Sequence, residues 1–138
     1  MLANRFKVTK KTKGKYATAH ESAIPPTNKL HPAFCFRYLA PGSFPQEQRQ
    51  KAAVANTLYK LGRLSWGEIQ IAPREGVGHE IISITSLRQQ PPINLSPDTA
   101  ILAFRCTEGG RMIGYREDKI FYIFWFDFSP FTVYDHGS

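Results

Sequence analysis

Glu80, His79, Arg111, Arg116, Tyr134 and His136 are the side chains of this sequence whose types could act on a phosphodiester without a metal. RNA carries its own nucleophile in the 2′-hydroxyl. Cleavage then needs one group to take that proton, a cation to steady the phosphorane oxygens, and an acid to protonate the leaving 5′-oxygen. Carboxylate, guanidinium, imidazole and phenol can fill those roles. Each residue also has an ordinary reading: Arg111 as a solvated turn residue after Gly110, Tyr134 as a sheet-edge aromatic, His136 as part of an irregular terminus. Other chemistries find less support. There is no Walker loop, no GxGxxG after a strand pattern, no HExxH and no nucleophile elbow, and Gly76-Val77-Gly78 alone is a weak phosphate signal. Cys35 and Cys106 each lie in an apolar strand-like run at a spacing that fits no metal site, so they read as reduced core residues.

These groups must be positioned by the elements around them. His31 to Leu39 is rich in aromatics and ends at Pro41-Gly42, the profile of a first strand closed by a turn. Ser43 and Pro45 offer a cap and a first-turn proline. Val54, Leu58 and Leu61 then recur at helical spacing up to Gly62. Ser65-Trp66-Gly67-Glu68 reads as a capping box opening a short second helix that stops at Pro73. Residues 74–98 hold Gly76, Gly78, Pro91, Pro92 and Pro97, so mostly loop is expected there, with one short strand or helical turn at Ile81-Ile82-Ser83-Ile84. From Thr99 onward strand patterns alternate with Glu108-Gly109-Gly110 and Glu117-Asp118-Lys119, and a last short strand is expected from Phe131 to Tyr134 after Ser129-Pro130. The contiguous rings of Phe121, Tyr122, Phe124, Trp125 and Phe126 point to a central strand covered on both faces. The expected class is α+β: a first strand, two helices, then a three- to four-stranded antiparallel meander, with the helices packed on one face of the sheet.

The chain has 138 residues, enough for one domain and too few for two independent cores. Its net charge of +7 is concentrated at one end, where Arg5, Lys7, Lys10, Lys11, Lys13 and Lys15 precede the first acid. Residues 1–29 therefore read as a basic, irregular extension and residues 30–138 as a nearly neutral domain. A cationic tail of this kind holds polyanions by counterion release, without sequence specificity. Lys7, Lys10, Lys11, Lys13, Lys15 and Arg116 are accordingly candidate RNA-binding residues. The densest apolar run, Ile120 to Phe126, is far below the roughly 18–20 residues of a membrane span, and no apolar signal core follows the lysines. A cytoplasmic protein without membrane contact is expected.

Three segments resemble a family. Ile69-Gln70-Ile71-Ala72-Pro73-Arg74-Glu75-Gly76-Val77-Gly78 is similar to the end of the second helix and the Gly-x-Gly loop in toxins of the RelE/YoeB superfamily. Arg111-Met112-Ile113-Gly114-Tyr115 is similar to that family's Arg-apolar-apolar-x-Tyr strand. Tyr134-Asp135-His136 falls where the family keeps a C-terminal His and Tyr, here in reverse order. The resemblance runs over about residues 46–136. It implies a toxin–antitoxin endoribonuclease that cleaves mRNA, usually on the ribosome, uses no metal or other cofactor, and is silenced by a proteinaceous antitoxin. By the same resemblance Glu80 is the general base, Arg111 the phosphate-stabilising arginine, and His136 with Tyr134 the acid and substrate-orienting pair. The competing reading is a non-catalytic RNA- or protein-binding module with a basic tail, in which Phe121, Tyr122 and Trp125 stack on bases or line an interface.

Overall fold

A computed structural model describes residues 26–73 and 77–135. The apolar spacing of Val54, Leu58 and Leu61 forms one face of helix α1 (Gln48–Gly62), in which Ala53, Val54, Thr57 and Leu61 are buried. The helix begins later than Ser43 and Pro45 suggest. Glu47 is its N-cap and makes no side-chain cap bond. Ser43 Oγ instead accepts a hydrogen bond from the Phe126 amide at 2.9 Å, so the hydroxyl serves a strand end rather than the helix. Helix α2 (Trp66–Ile71) opens on the expected capping box. The Glu68 amide donates to Ser65 Oγ at 3.1 Å and the Ser65 amide to Glu68 Oε1 at 2.8 Å, covering two amides that the first turn leaves without partners.

Five strands make one sheet: β1 (Ala33–Cys35), β2 (His79–Ser83), β3 (Ala100–Arg105), β4 (Arg111–Glu117) and β5 (Ile120–Asp127). Their order is β1-β5-β4-β3-β2. Strands β2 to β5 follow one another antiparallel, whereas β1 joins the outer side of β5 in parallel, with Ala33 opposite Ile120. The sheet is thus mixed, and the expectation of a plain meander is corrected. A parallel neighbour needs a long crossover, and the chain that carries both helices separates β1 from the meander.

Three boundaries also differ from the sequence reading. The first strand is three residues long because the chain turns after it, the Leu39 amide bonding the Phe36 carbonyl at 3.0 Å. Of the two forms open for the apolar patch Ile81-Ile82-Ser83-Ile84, a short strand or a helical turn, the strand forms; it starts at His79 and pairs over its whole length with β3. The strand expected from Phe131 to Tyr134 does not form. The Thr132 and Val133 amides go to Asp127 Oδ1 and Oδ2, at 3.1 Å each, so their hydrogen bonds are met by a side chain and not by a neighbouring strand.

Two core clusters lie against the sheet. One joins Leu102, Phe104, Met112, Phe121, Ile123 and Phe126 to Val54, Leu61, Trp66 and Ile69 of the helices. The other joins Ile82, Ile101, Ala103, Ile113, Phe124 and Trp125 to Val133 and Tyr134. A bulge explains how neighbouring aromatics can share a cluster. Ile113 pairs with Trp125 and Gly114 with Ile123, so Phe124 is an extra residue and both Phe124 and Trp125 enter the second cluster. Gly114 belongs to the same feature: a Cβ there would lie inside the van der Waals envelope of the Tyr122 carbonyl oxygen. Among the described residues no helix is long and apolar enough to cross a membrane.

Candidate active site

Strand alternation and register decide which polar side chains meet. Glu80 of β2 stands opposite Ala103 of β3, and Ala103 opposite Ile113 of β4. Arg111 lies two residues before Ile113 on the same strand, so Glu80 and Arg111 project from one face near one end of the sheet. After β5 the chain turns at Ser129-Pro130 and runs back over that face. Three contacts hold it there besides the two Asp127 bonds: the Arg88 amide donates to the Val133 carbonyl at 2.7 Å, and Gln89 Nε2 donates to the Thr132 carbonyl at 3.3 Å and to Thr132 Oγ1 at 3.0 Å.

That return brings Tyr134 to the other two residues. Its hydroxyl donates to Glu80 Oε1 at 3.0 Å. Burial, followed by the charge and hydrogen bond of Glu80, pushes the Tyr134 phenol up from its ordinary 10.0 to about 12, while the nearby Arg111 guanidinium pulls the other way. The phenol therefore keeps its proton throughout the physiological range and acts as a hydrogen-bond donor. Arg111 is partly fixed from below. Its Nη1 donates to the carbonyls of Gly109 at 3.3 Å and Gly110 at 3.1 Å. Carboxylate, guanidinium and phenol, from three distant parts of the chain, thus share one patch. A proton acceptor beside a planar cation and a proton donor is the set that in-line phosphoryl chemistry uses.

The remaining candidates lie elsewhere. Arg116 is on the helix side of the sheet, with its guanidinium 4.3 Å over the Trp66 ring, Nε donating to the Asp118 carbonyl at 2.6 Å and Nη2 to Asn28 Oδ1 at 2.8 Å. It pairs across the strands with the fully buried Phe121 and does not join Glu80 and Arg111. His79 also faces the helix side, its ring 5.6 Å from that of Phe104. Burial holds its pKa below the ordinary 6.5, and its Nδ1 is buried without a partner among the described residues. Lys7, Lys10, Lys11, Lys13, Lys15, His136 and the first glycine of the Gly-x-Gly loop, Gly76, lie outside the described residues. Phe121 and Trp125 are buried at 0% and 3% exposure, which removes both as platforms for bases. Tyr122 is half-buried and stacks on Tyr115, with ring centroids 5.4 Å apart. Cys106 is buried beside Thr57, and burial pushes its thiol up, the opposite of what a nucleophile needs. Among the described residues, no three His, Cys, Asp or Glu side chains gather as a metal site.

Two residues that sequence reasoning did not single out matter here. Asp127, 3% exposed, holds the segment that carries Tyr134. Its position as an acid closing an aromatic strand just before Ser-Pro was the available signal. Arg105 stands directly opposite Arg111 on the neighbouring strand, and a count of three residues to either side of Glu108 in the turn would have found the pair.

No family model, curated protein or solved structure matches the chain.

Proposed function

We propose that the chain is a toxin-like endoribonuclease that cleaves mRNA by attack of the RNA's own 2′-hydroxyl. One observation carries the reading: Glu80, Arg111 and Tyr134, matched to the RelE/YoeB-like motifs one by one, converge on a single patch, with Tyr134 bonded to Glu80 at 3.0 Å and Arg111 beside the same hydroxyl. In this reading Glu80 takes the 2′-proton as the 2′-oxygen bonds to phosphorus. Arg111 donates to the non-bridging oxygens as negative charge gathers there. The bond from phosphorus to the 5′-oxygen breaks, and that oxygen takes a proton from His136, leaving a 2′,3′-cyclic phosphate and a 5′-hydroxyl. Tyr134 orients the phosphate through its retained proton. Ribosome-bound mRNA as substrate, a proteinaceous antitoxin as partner and a cytoplasmic site of action belong to the same proposal. Lys7, Lys10, Lys11, Lys13 and Lys15 add a sequence-independent grip on RNA.

The test is a cell-free translation reaction containing the native chain or Arg111→Ala, followed for protein synthesis and for mRNA integrity. Cleavage by the native chain that disappears with Arg111→Ala supports the reading. Intact mRNA and undisturbed synthesis overturn it in favour of a non-catalytic binding module.

A further inference from the structure

We infer that Arg105 is a second phosphate-binding residue of the Glu80, Arg111 and Tyr134 patch, and that Arg105 and Arg111 grip one phosphate of RNA between them. The inference deepens the nuclease reading, rests on it for RNA as the ligand, and adds a cation that no motif of the sequence marks.

The face on which Arg105 stands follows from its neighbours. Phe104 and Cys106 belong to the core cluster beneath the helices, whereas Ala103, two residues before Arg105, belongs to the cluster on the other face. Arg105 therefore leaves the sheet on the face of Ala103. Arg111 does the same, since Met112 joins the helix-side cluster and Ile113 the other. So does Glu80, two residues before Ile82. Register then sets the spacing. Arg105 is directly opposite Arg111, and Glu80 is opposite Ala103, which puts Arg105 one strand nearer to Glu80 than Arg111 is. In the row of Glu80, Ala103 and Ile113 the middle side chain is only a methyl group, so β3 leaves room above it beside Arg105.

The arginine pair does not serve the fold. Like charges directly opposite one another weaken an antiparallel ladder. The acid in the same row, Asp127, lies on the far side of Arg111 and accepts the Thr132 and Val133 amides. Arg105 is exposed, and its side chain makes no hydrogen bond or ion pair among the described residues. Arg111 is held at the Gly109 and Gly110 carbonyls. A fixed guanidinium and an uncommitted one, with Cβ atoms about 5 Å apart, can close on a single tetrahedral anion from two sides. In the proposed reaction negative charge gathers on two non-bridging oxygens as the 2′-oxygen bonds to phosphorus. Arg111 takes one of them and Arg105, nearer to the base, takes the other. Arg105 transfers no proton.

The experiment uses the full chain and a 2′-O-methyl hexaribonucleotide, which lacks the attacking hydroxyl, read by fluorescence anisotropy. A series of these probes carries a neutral methylphosphonate in place of one phosphate at a time. For the native chain, neutralising one particular phosphate should weaken binding by about tenfold, the scale of lost charge-assisted hydrogen bonds. Arg105→Gln and Arg111→Gln should each erase most of that sensitivity, and at the same position. Without RNA, Arg105→Gln should also raise the melting temperature by about 1–3 °C, because the cross-strand repulsion is gone. In saturating probe the order should reverse, because the native chain binds more tightly. The inference is overturned if no phosphate stands out, if Arg105→Gln keeps the native profile, if the two variants change different positions, or if Arg105→Gln melts lower than the native chain without RNA. Cleavage is scored separately on unmodified RNA. No cleavage by the native chain, with the profile as expected, removes the nuclease reading and leaves the two-arginine grip standing. Cleavage with a profile that Arg105→Gln does not alter sinks the grip alone.

Discussion

The Tyr134 hydroxyl donates to Glu80 Oε1 at 3.0 Å across 54 positions of sequence. Neither residue reaches the other by local structure. Glu80 stands on a strand whose place comes from its ladder with β3, and Tyr134 on a segment without regular structure that Asp127 holds over the sheet. Tyr134 also belongs to the core cluster of Trp125 and Val133, so its ring is packed while its hydroxyl serves the patch.

Tyr134→Phe separates those two contributions. The ring stays and the hydrogen bond goes, so the expected loss is about 0.5–1.5 kcal/mol of stability at neutral pH, measured by urea unfolding. The alkaline limb should differ as well. The folded phenol is pushed up to about 12 against an ordinary 10.0, so its contribution is complete below pH 10 and is lost as pH rises from 10 towards 12, where the unfolded chain gives up a proton that the native state keeps. Native protein should lose stability more steeply than Tyr134→Phe in that window. Parallel curves would mean that the phenol is not held this way.

Arg111→Lys tests geometry against charge. Lysine keeps the cation but loses the planar fork that can bond two phosphate oxygens and two turn carbonyls together. In the nuclease reading cleavage should fall by about 10²–10³-fold, the scale of a lost transition-state donor. Binding of a 2′-O-methyl oligoribonucleotide, which lacks the attacking hydroxyl, should change much less. Equal losses in both would assign Arg111 to ground-state binding.

Much of the local structure was legible because its causes are local. The Ser65 and Glu68 capping box and the spacing of Val54, Leu58 and Leu61 involve residues a few positions apart, and they formed as read. Glu80, Arg111 and Tyr134 were legible as chemical types. Their meeting was not, because it depends on the β2 to β3 register and on two backbone amides bonded to Asp127. Ser43 misled for a related reason: its hydroxyl could cap a helix or serve a strand, and only the position of Phe126 in space decides between them. The parallel pairing of β1 and the extra residue at Phe124 are likewise properties of strands that are distant in sequence.

Gly114→Ala should be among the most damaging single methyl additions. The new Cβ would overlap the Tyr122 carbonyl oxygen on the neighbouring strand, and a backbone atom cannot swing aside as a side-chain end can. The ladder between β4 and β5 must then open at its bulge, with a cost of about 3 kcal/mol or more. Thermal unfolding should show it as a drop of 10 °C or so for a domain of this size. A wild-type melting temperature would refute the close approach.

His79 contributes to the acid limb of stability. Its folded pKa lies below the ordinary 6.5 because burial disfavours the charged ring. Both states are neutral above 6.5. As pH falls below it, the unfolded chain binds a proton that the native state refuses, so stability present above 6.5 is lost towards the folded value. His79→Gln should flatten this limb below pH 6.5 in urea unfolding. The limb would stay as steep if other groups were responsible.

Asp127→Ala is the variant that joins fold to chemistry. The carboxylate is 3% exposed and accepts from two consecutive amides, and its removal leaves both without their partner. Each orphaned group costs about 1–3 kcal/mol, and the segment relieves the cost by lifting off the sheet. Its other ties include the Arg88 and Gln89 bonds, the Tyr134 bond to Glu80 and the packing of Val133 and Tyr134. Amide hydrogen exchange at Thr132 and Val133 should therefore accelerate well before that of β3 and β4, whose ladders do not involve Asp127 side-chain bonds. In the nuclease reading cleavage should fall with it, because Tyr134 leaves Glu80, although Asp127 touches no substrate. Asp127→Asn, which keeps one acceptor oxygen, should lie between the two. If exchange stays slow in Asp127→Ala while cleavage falls, the residue acts on the chemistry directly and is not a positioning residue.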